Sequence, residues 1–315
     1  MKQTNHILPY FTACCVSLIL GLTFIFSKTA LNIVTPCTLL SFRFLTAFLT
    51  ITLLRILKIV KINYKGKPIK YLIILSLLEP VLYFFFESKG LKLCSASQAG
   101  IVIALIPIFV AILSSYILKE KKTLLQICSI ILSVCGVIYI VLMQSSSSNK
   151  GSLLGIFFLF GSVLCGSIFS ILSKKLSENF KPIEITYFMS GLAAIIFNFI
   201  SVVNHIRLHT LNLYFEPLKN NNFIICILYL GILSSVIGFF LVNFTISKID
   251  VSKYSVFENV TSIISILGGV IFLHEELKYY HGIGAIMIVL GVWGTSFFAK
   301  KSLSQTSELE ISQSS

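Results

Sequence analysis

The chain has 315 residues, of which 56% are hydrophobic and 12% charged, and carries a formal net charge of +13. Soluble chains carry about 25% charged residues, so a water-soluble core cannot account for this much apolar sequence, and a protein that crosses a membrane several times is expected. The basic residues gather in short segments between apolar runs, as at a membrane face, without the pattern of a nucleic-acid binder, so nucleic acid is not an expected partner.

In chain order, the apolar runs predict ten spans at about 7–27, 36–57, 70–88, 96–118, 124–142, 153–173, 183–203, 222–244, 253–273 and 281–299. A helix needs about 20 residues to cross the hydrocarbon core. The first run is too long for the apolar part of a signal peptide, and no small-residue cleavage site follows it. The longest connection, 204–221, is polar and has room for a short interfacial helix. The run from Ser145 to Gly151 reads as a flexible linker, and the Ser-rich residues 300–315 as a disordered cytoplasmic tail. The eight cysteines lie mostly inside apolar runs without paired spacings. That pattern fits small buried thiols better than disulfides or metal ligands.

With a cytoplasmic N-terminus, the cytoplasmic segments hold 17 of the 25 Lys and Arg and the outer segments 7, with Arg43 inside a span. This bias places both termini in the cytoplasm of a plasma (inner) membrane protein.

The stretch 89–143 is two apolar runs joined by a charged turn, and much the same text returns over 246–294. Setting Glu120 against Glu275 also brings Gly136 onto Gly291 and Phe84 onto Phe239; further upstream Gly21 meets Gly166 and Pro36 meets Pro182. The chain therefore reads as two repeats, 7–143 and 153–299, of five spans each. An odd number of spans turns the second copy upside down. Inverted repeats of this kind place a site near the bilayer midplane, between halves that rock against each other. The expected fold is an all-α membrane protein of ten transmembrane helices in two inverted five-helix repeats.

The segments GLTFIFSKTALNIVTPCTLLSFRF, AGIVIALIPIFVAILSSYILKEK and GGVIFLHEE, with the glycine of the tenth span, resemble the drug/metabolite transporter superfamily, EamA type. The resemblance covers roughly residues 10 to 299 and implies ten helices, two EamA repeats, no nucleotide-binding domain, and export or exchange of small metabolites; no cofactor is expected. Ser262 stands in the second copy where the first has Pro107, which puts a mirrored helix bend there in doubt.

Ionisable residues inside spans are functional candidates, because burial in hydrocarbon is costly unless relieved. Lys28, Arg43, Glu79, Glu87 and Glu258 qualify. At helical rise, Arg43 and Glu79 lie ~10 and ~13 Å from the outer ends of spans two and three, which predicts an ion pair or a shared polar cavity. Glu258, followed by Asn259, is a candidate for binding a cationic group or taking up a proton. The alternative is a neutral buried carboxyl held by Asn259 or Tyr254. Pro80 and Pro107 free backbone bonds where a helix can bend. Tyr83 is one turn beyond Glu79 on the same face, while Glu87 and Lys28 are expected to snorkel to the outer surface. Gln98 and Asn243, near helix ends, carry no signal. Trp293 is expected to pack against neighbours. Glu120 and Glu275 are expected to accept from the free N–H groups that open the following helix. Ser129, Ser133, Gly136, Gly284 and Gly291 allow close helix approach, within the bundle or in a homodimer. The charges do not repeat: Glu79 faces Ser234 in the other copy, and Glu258 faces Ile103.

His274-Glu275-Glu276-Leu277-Lys278 lacks the second histidine of a zinc protease. The leading expectation is a secondary transporter for a small polar metabolite or amino-acid-like compound, exported or exchanged across the bilayer. A multidrug (organic cation) or nucleotide-sugar carrier is the alternative. A membrane-embedded enzyme or lipid-handling protein is a distant one, since an enzyme would need clustered catalytic groups and Asp250 is the only aspartate.

Overall fold

A computed structural model describes residues 8–118, 123–145 and 150–313. Ten helical legs follow one another: α1 Leu8–Leu31, α2 Pro36–Ile56, α3 Ile69–Leu93, α4 over 96–118, α5 Leu124–Ser145, α6 Lys150–Leu176, α7 Pro182–Arg207, α8 Asn221–Lys248, α9 Val251–Leu273 and α10 Tyr279–Gln313. Among the described residues, seven of these are long and apolar enough to cross a membrane; shorter apolar helices lie at Leu124–Ile140, Phe257–Leu273 and Tyr279–Gly294. Residues 300–313, expected as a disordered tail, continue α10 as helix. The sequence offers no glycine or proline after Gly294 to stop it. The linker residues 146–149 lie outside the described residues.

Local sequence explains where the legs begin. Thr35 caps α2 and Ser95 caps α4, the latter with Gln98 completing a capping box, so Gln98 has a role that its sequence position did not signal. Pro36 and Pro182 occupy the first turns of α2 and α7, where a missing N–H costs nothing. The 204–221 connection holds two short turns, Leu211–Leu213 and Glu216–Lys219.

The packing follows the internal repeat. The first helix of each copy lies on the fourth helix of the other: α1 on α9, and α6 on α4. The first helix of each copy also packs on the third of the other, α1 on α8 and α6 on α3; the second helices pair as α2 with α7, and the fifth as α5 with α10. Small residues set the α5–α10 contact inside the bundle. A Cβ on Gly136 would meet the Gly284 carbonyl at 2.9 Å, and Ser133 Oγ donates to Ile288 O at 3.0 Å. Trp293, expected to be packed, is 59% exposed on the outer face of α10, stacked on Phe297.

Both third helices lose their regular winding at the same place in the repeat. Wide π-helical turns occupy Leu77–Leu82 in α3 and Tyr229–Gly238 in α8. In α3 the interruption centres on Glu79, with φ −142° and ψ 120°, followed by Pro80; the Glu79–Pro80 bond is cis. The fourth helices differ. α4 breaks at Ala104–Leu105, just before Pro107, between Ala96–Ile103 and Ile106–Leu118, whereas α9 runs unbroken through Ser262. Proline cannot close its i−4 bond, and the copy without it stays straight.

Lys28, expected to reach water, is structural instead, and a second lysine repeats its role. Lys28 Nζ donates to Leu91 O at 2.7 Å and Cys94 O at 2.5 Å, covering the last carbonyls of α3. Lys174, its counterpart in the second copy, donates to Ile246 O at 2.9 Å and Ile249 O at 3.0 Å at the end of α8. Each ammonium satisfies acceptors that a helix end leaves open. At the far end of α2, the 59–68 connection is tied to the start of α7: Lys67 pairs with Glu184 at 2.5 Å and Tyr64 donates to Glu184 O at 2.7 Å. Burial, and then the Glu184 charge, push the Tyr64 phenol above its ordinary range.

Candidate functional site

A cavity of about 70 Å³ lies among α1, α3, α4, α6, α8 and α9, where the two repeats meet. Its wall includes Thr23 and Phe24 from α1, Glu79, Tyr83, Phe84 and Glu87 from α3, Phe239 from α8, and Tyr254, Glu258 and Thr261 from α9. That space holds a few waters or a small solute. Among the described residues, every one that brings charge to the wall is a carboxylate, and no lysine, arginine or histidine lines it.

Glu79, Tyr83 and Glu87 follow the i, i+4, i+8 spacing of one helix face, and all three line the cavity. Glu87 is therefore not a snorkelling residue: it is 2% exposed, and its Oε2 has no hydrogen-bond partner among the described residues. The spacing was the signal for it. Its burial comes from the helices packed around α3, which a single-helix depth count does not include. Glu258 enters from α9, and its Oε2 is likewise unpartnered among the described residues. Asn259 is buried, its Oδ1 also unpartnered, but does not line the cavity. Unmet acceptors inside a protein carry a desolvation cost of about 1–3 kcal/mol, more when charged. Such groups point to water, a proton or a cation that completes them.

The expected Arg43–Glu79 ion pair is not made. Arg43 is 1% exposed and stands one layer behind the wall. Its Nε donates to Ser235 Oγ at 2.9 Å and its Nη2 to Ser234 Oγ at 3.0 Å, while its guanidinium carbon sits 4.1 Å from the centre of the Phe84 ring. Two serines on the wide turn of α8 each accept one of its N–H groups, and Phe84 takes its face. Thr23 Oγ1, on the cavity wall, donates to Ser234 Oγ at 3.0 Å. A polar chain Thr23–Ser234–Arg43 thus links wall and guanidinium. Ser234 is the repeat counterpart of Glu79, so the position where the copies disagree is occupied by charge in one and by the holder of the opposite charge in the other.

Two further residues act away from the cavity. Asn243, fully buried on α8, accepts from Ser173 Oγ at 2.7 Å and donates to Thr186 Oγ1 at 3.4 Å, joining α6, α7 and α8. Glu275 was expected to cap α10, but it reaches across to the other copy. Its Oε1 accepts from Ala96 N at 2.6 Å, and its Oε2 from Ser97 N at 2.9 Å and Ser97 Oγ at 2.6 Å. The carboxylate sits on the open amides that start α4, where the helix dipole favours it. Glu120 lies outside the described residues. None of the eight cysteines is in a disulfide; Cys94, Cys165 and Cys226 are buried and Cys14, Cys128 and Cys135 exposed.

Comparison with known proteins agrees with this architecture. The model of the EamA-like transporter family matches twice, over residues 7–142 and 153–297. The chain is 37% identical over 292 residues to the uncharacterized transporter YcxC of Bacillus subtilis (strain 168), covering 93% of this chain and 94% of that one. It is 28% identical over 274 residues to an uncharacterized transporter of Archaeoglobus fulgidus, covering 87% and 93%. It is also 22% identical over 287 residues to the chloroplastic WAT1-related protein At3g02690 of Arabidopsis thaliana, covering 88% and 66%. A solved crystal structure at 17% identity superposes with a TM-score of 0.62 over 93% of this chain and 96% of its own, which shows the shared fold. With two family matches filling nearly the whole length, each over one five-helix copy, this chain belongs to the EamA-like transporter family and is a multi-pass membrane transporter.

Proposed function

We propose that this transporter carries a small polar metabolite bearing a cationic amino group, by alternating access in a plasma membrane with both termini cytoplasmic. The observation that carries this reading is the sign of the cavity: its charged lining is Glu79, Glu87 and Glu258, and the one nearby guanidinium is committed to Ser234 and Ser235. An ammonium entering the cavity meets carboxylates and aromatic faces, both of which favour a cation. A nucleotide sugar would need basic partners for its phosphates, and the wall has none. An amino-acid-like zwitterion is the second reading. The Thr23–Ser234–Arg43 chain favours it, because a small shift of Phe84 would bring positive potential to a carboxylate.

Glu258 is the proposed coupling residue: it binds the cationic group in one state and a proton in the other, so that substrate and proton exchange across the membrane. Asn259 follows it as a polar neighbour. The wide turn at Glu79–Pro80 and the break before Pro107 are the proposed bending points. Reconstituted protein should exchange labelled cationic amines in proteoliposomes, and an imposed pH gradient should change the rate. Glu258→Gln should remove that pH response. Exchange of acidic or nucleotide-sugar substrates in place of amines would overturn the reading; so would full pH dependence in Glu258→Gln.

A further inference from the structure

The cavity carries its carboxylates at two depths. Counting from Leu93, where α3 ends, Glu87 lies ~9 Å and Glu79 ~21 Å from that face of the membrane at 1.5 Å per residue. Glu258 approaches from the opposite face, ~10 Å past Val251 at the start of α9. In a hydrocarbon core of ~30 Å, Glu79 and Glu258 therefore lie at similar depth by residue count, and Glu87 follows two turns further along α3, on the order of 12 Å at helical rise. Tyr83, Phe84, Ile106 and Phe239 also line the cavity, and Tyr83 and Phe84 fall between Glu79 and Glu87 along α3.

The charges do not balance. Three carboxylates meet one guanidinium, and an uncompensated carboxylate in a membrane interior is expensive. Each such carboxylate calls for a proton or a cation to complete it, and two oxygens stand open to receive one. Glu87 Oε2 at one pole and Glu258 Oε2 at the other have no hydrogen-bond partner among the described residues, and Glu87 is 2% exposed.

We propose that the cavity takes a linear α,ω-diamine, a short alkyl chain with an ammonium group at each end. One ammonium sits on Glu87, the other between Glu79 and Glu258, and the methylenes lie along Tyr83 and Phe84. Allowing ~2.8 Å for each charge-assisted hydrogen bond, a ~12 Å separation of the poles leaves ~6 Å between the nitrogens, the span of about four or five extended carbons. A longer diamine overruns the poles, and a monoamine leaves one of them unmet. This inference rests on the cationic reading above and narrows it to a substrate of two charges.

Calorimetric titration of the purified full-length protein in detergent at neutral pH tests it with 1,4-diaminobutane, 1-aminobutane and 1,8-diaminooctane. The expected result is that 1,4-diaminobutane binds at least tenfold more tightly than either of the others. Glu87→Gln should then erase the preference for diamine over monoamine. The ligand series on the unaltered protein keeps the test decisive even where that variant folds poorly. If 1-aminobutane binds as tightly as the diamine, the two-pole site is overturned while the cationic reading stands. If none of the three amines binds, the cationic reading itself is overturned.

Discussion

Arg43 illustrates why a buried charge has to be traced to its partners. Depth counting placed it beside Glu79, yet Ser234, Ser235 and Phe84 hold it one layer back. Its removal leaves two buried hydroxyls without their donor and the carboxylate cluster without its nearest cation. Hydrogen bonds to charged groups contribute about 1.5–3 kcal/mol each. Arg43→Ala is therefore expected to destabilise the solubilised protein by about 3–6 kcal/mol, read as a lower thermal midpoint. Arg43→Lys keeps the charge but not the two-serine fork, so it should fall between the two. An Arg43→Ala midpoint equal to that of the parent would show that the serines do not depend on it. Glu87 carries the opposite lesson. Its helical register with Glu79 and Tyr83 was plain in the sequence, but burial depends on helices far away in the chain, so its place on the cavity wall was not.

Among the elements, the third helix of each copy is the most constrained. Each has a wide turn at its middle and a lysine from the first helix of its own copy on its last carbonyls: Lys28 on α3 and Lys174 on α8. The arrangement pins the end of each interrupted helix. Lys28→Met and Lys174→Met should each cost about 1.5–3 kcal/mol, the range for hydrogen bonds to charged groups. Because the two sites are far apart in different copies, the double variant should show the sum of the single effects. A clear departure from additivity in denaturant unfolding would mean that the two ends are coupled. The fourth helices show where sequence reasoning held at this scale. The absence of a proline at Ser262 put a mirrored bend in doubt, and α9 is indeed straight where α4 is broken.

The whole molecule is two copies of one five-helix unit, each packing its first helix on the fourth helix of the other. Glu275 fastens this exchange on one face by seating on the first amides of α4. Glu275→Ala should therefore release the start of α4 from the α9–α10 turn. Hydrogen exchange at Ala96 and Ser97 is expected to accelerate by about 10- to 100-fold, the equivalent of 1.5–3 kcal/mol. Unchanged protection there would show that α4 is held by its own Ser95–Gln98 cap alone.

The membrane class, the helical legs and the internal repeat were already legible in the order of the residues. Apolar length and recurring residues are local or periodic signals, and the lipid environment leaves a chain of this kind little besides helices. That order also marked the positions where the copies disagree, Glu79 against Ser234 and Glu258 against Ile103; three of these four line the cavity, and the fourth holds Arg43. Which charges face the cavity and which hold backbone groups depended on the packing of distant helices. Lys28, Glu87, Glu275 and Arg43 look alike in the sequence as charged residues near apolar runs. Their fates differ because a buried charge goes wherever its hydrogen bonds can be met, and those partners come from the other copy or from another helix, where one-dimensional spacing does not reach.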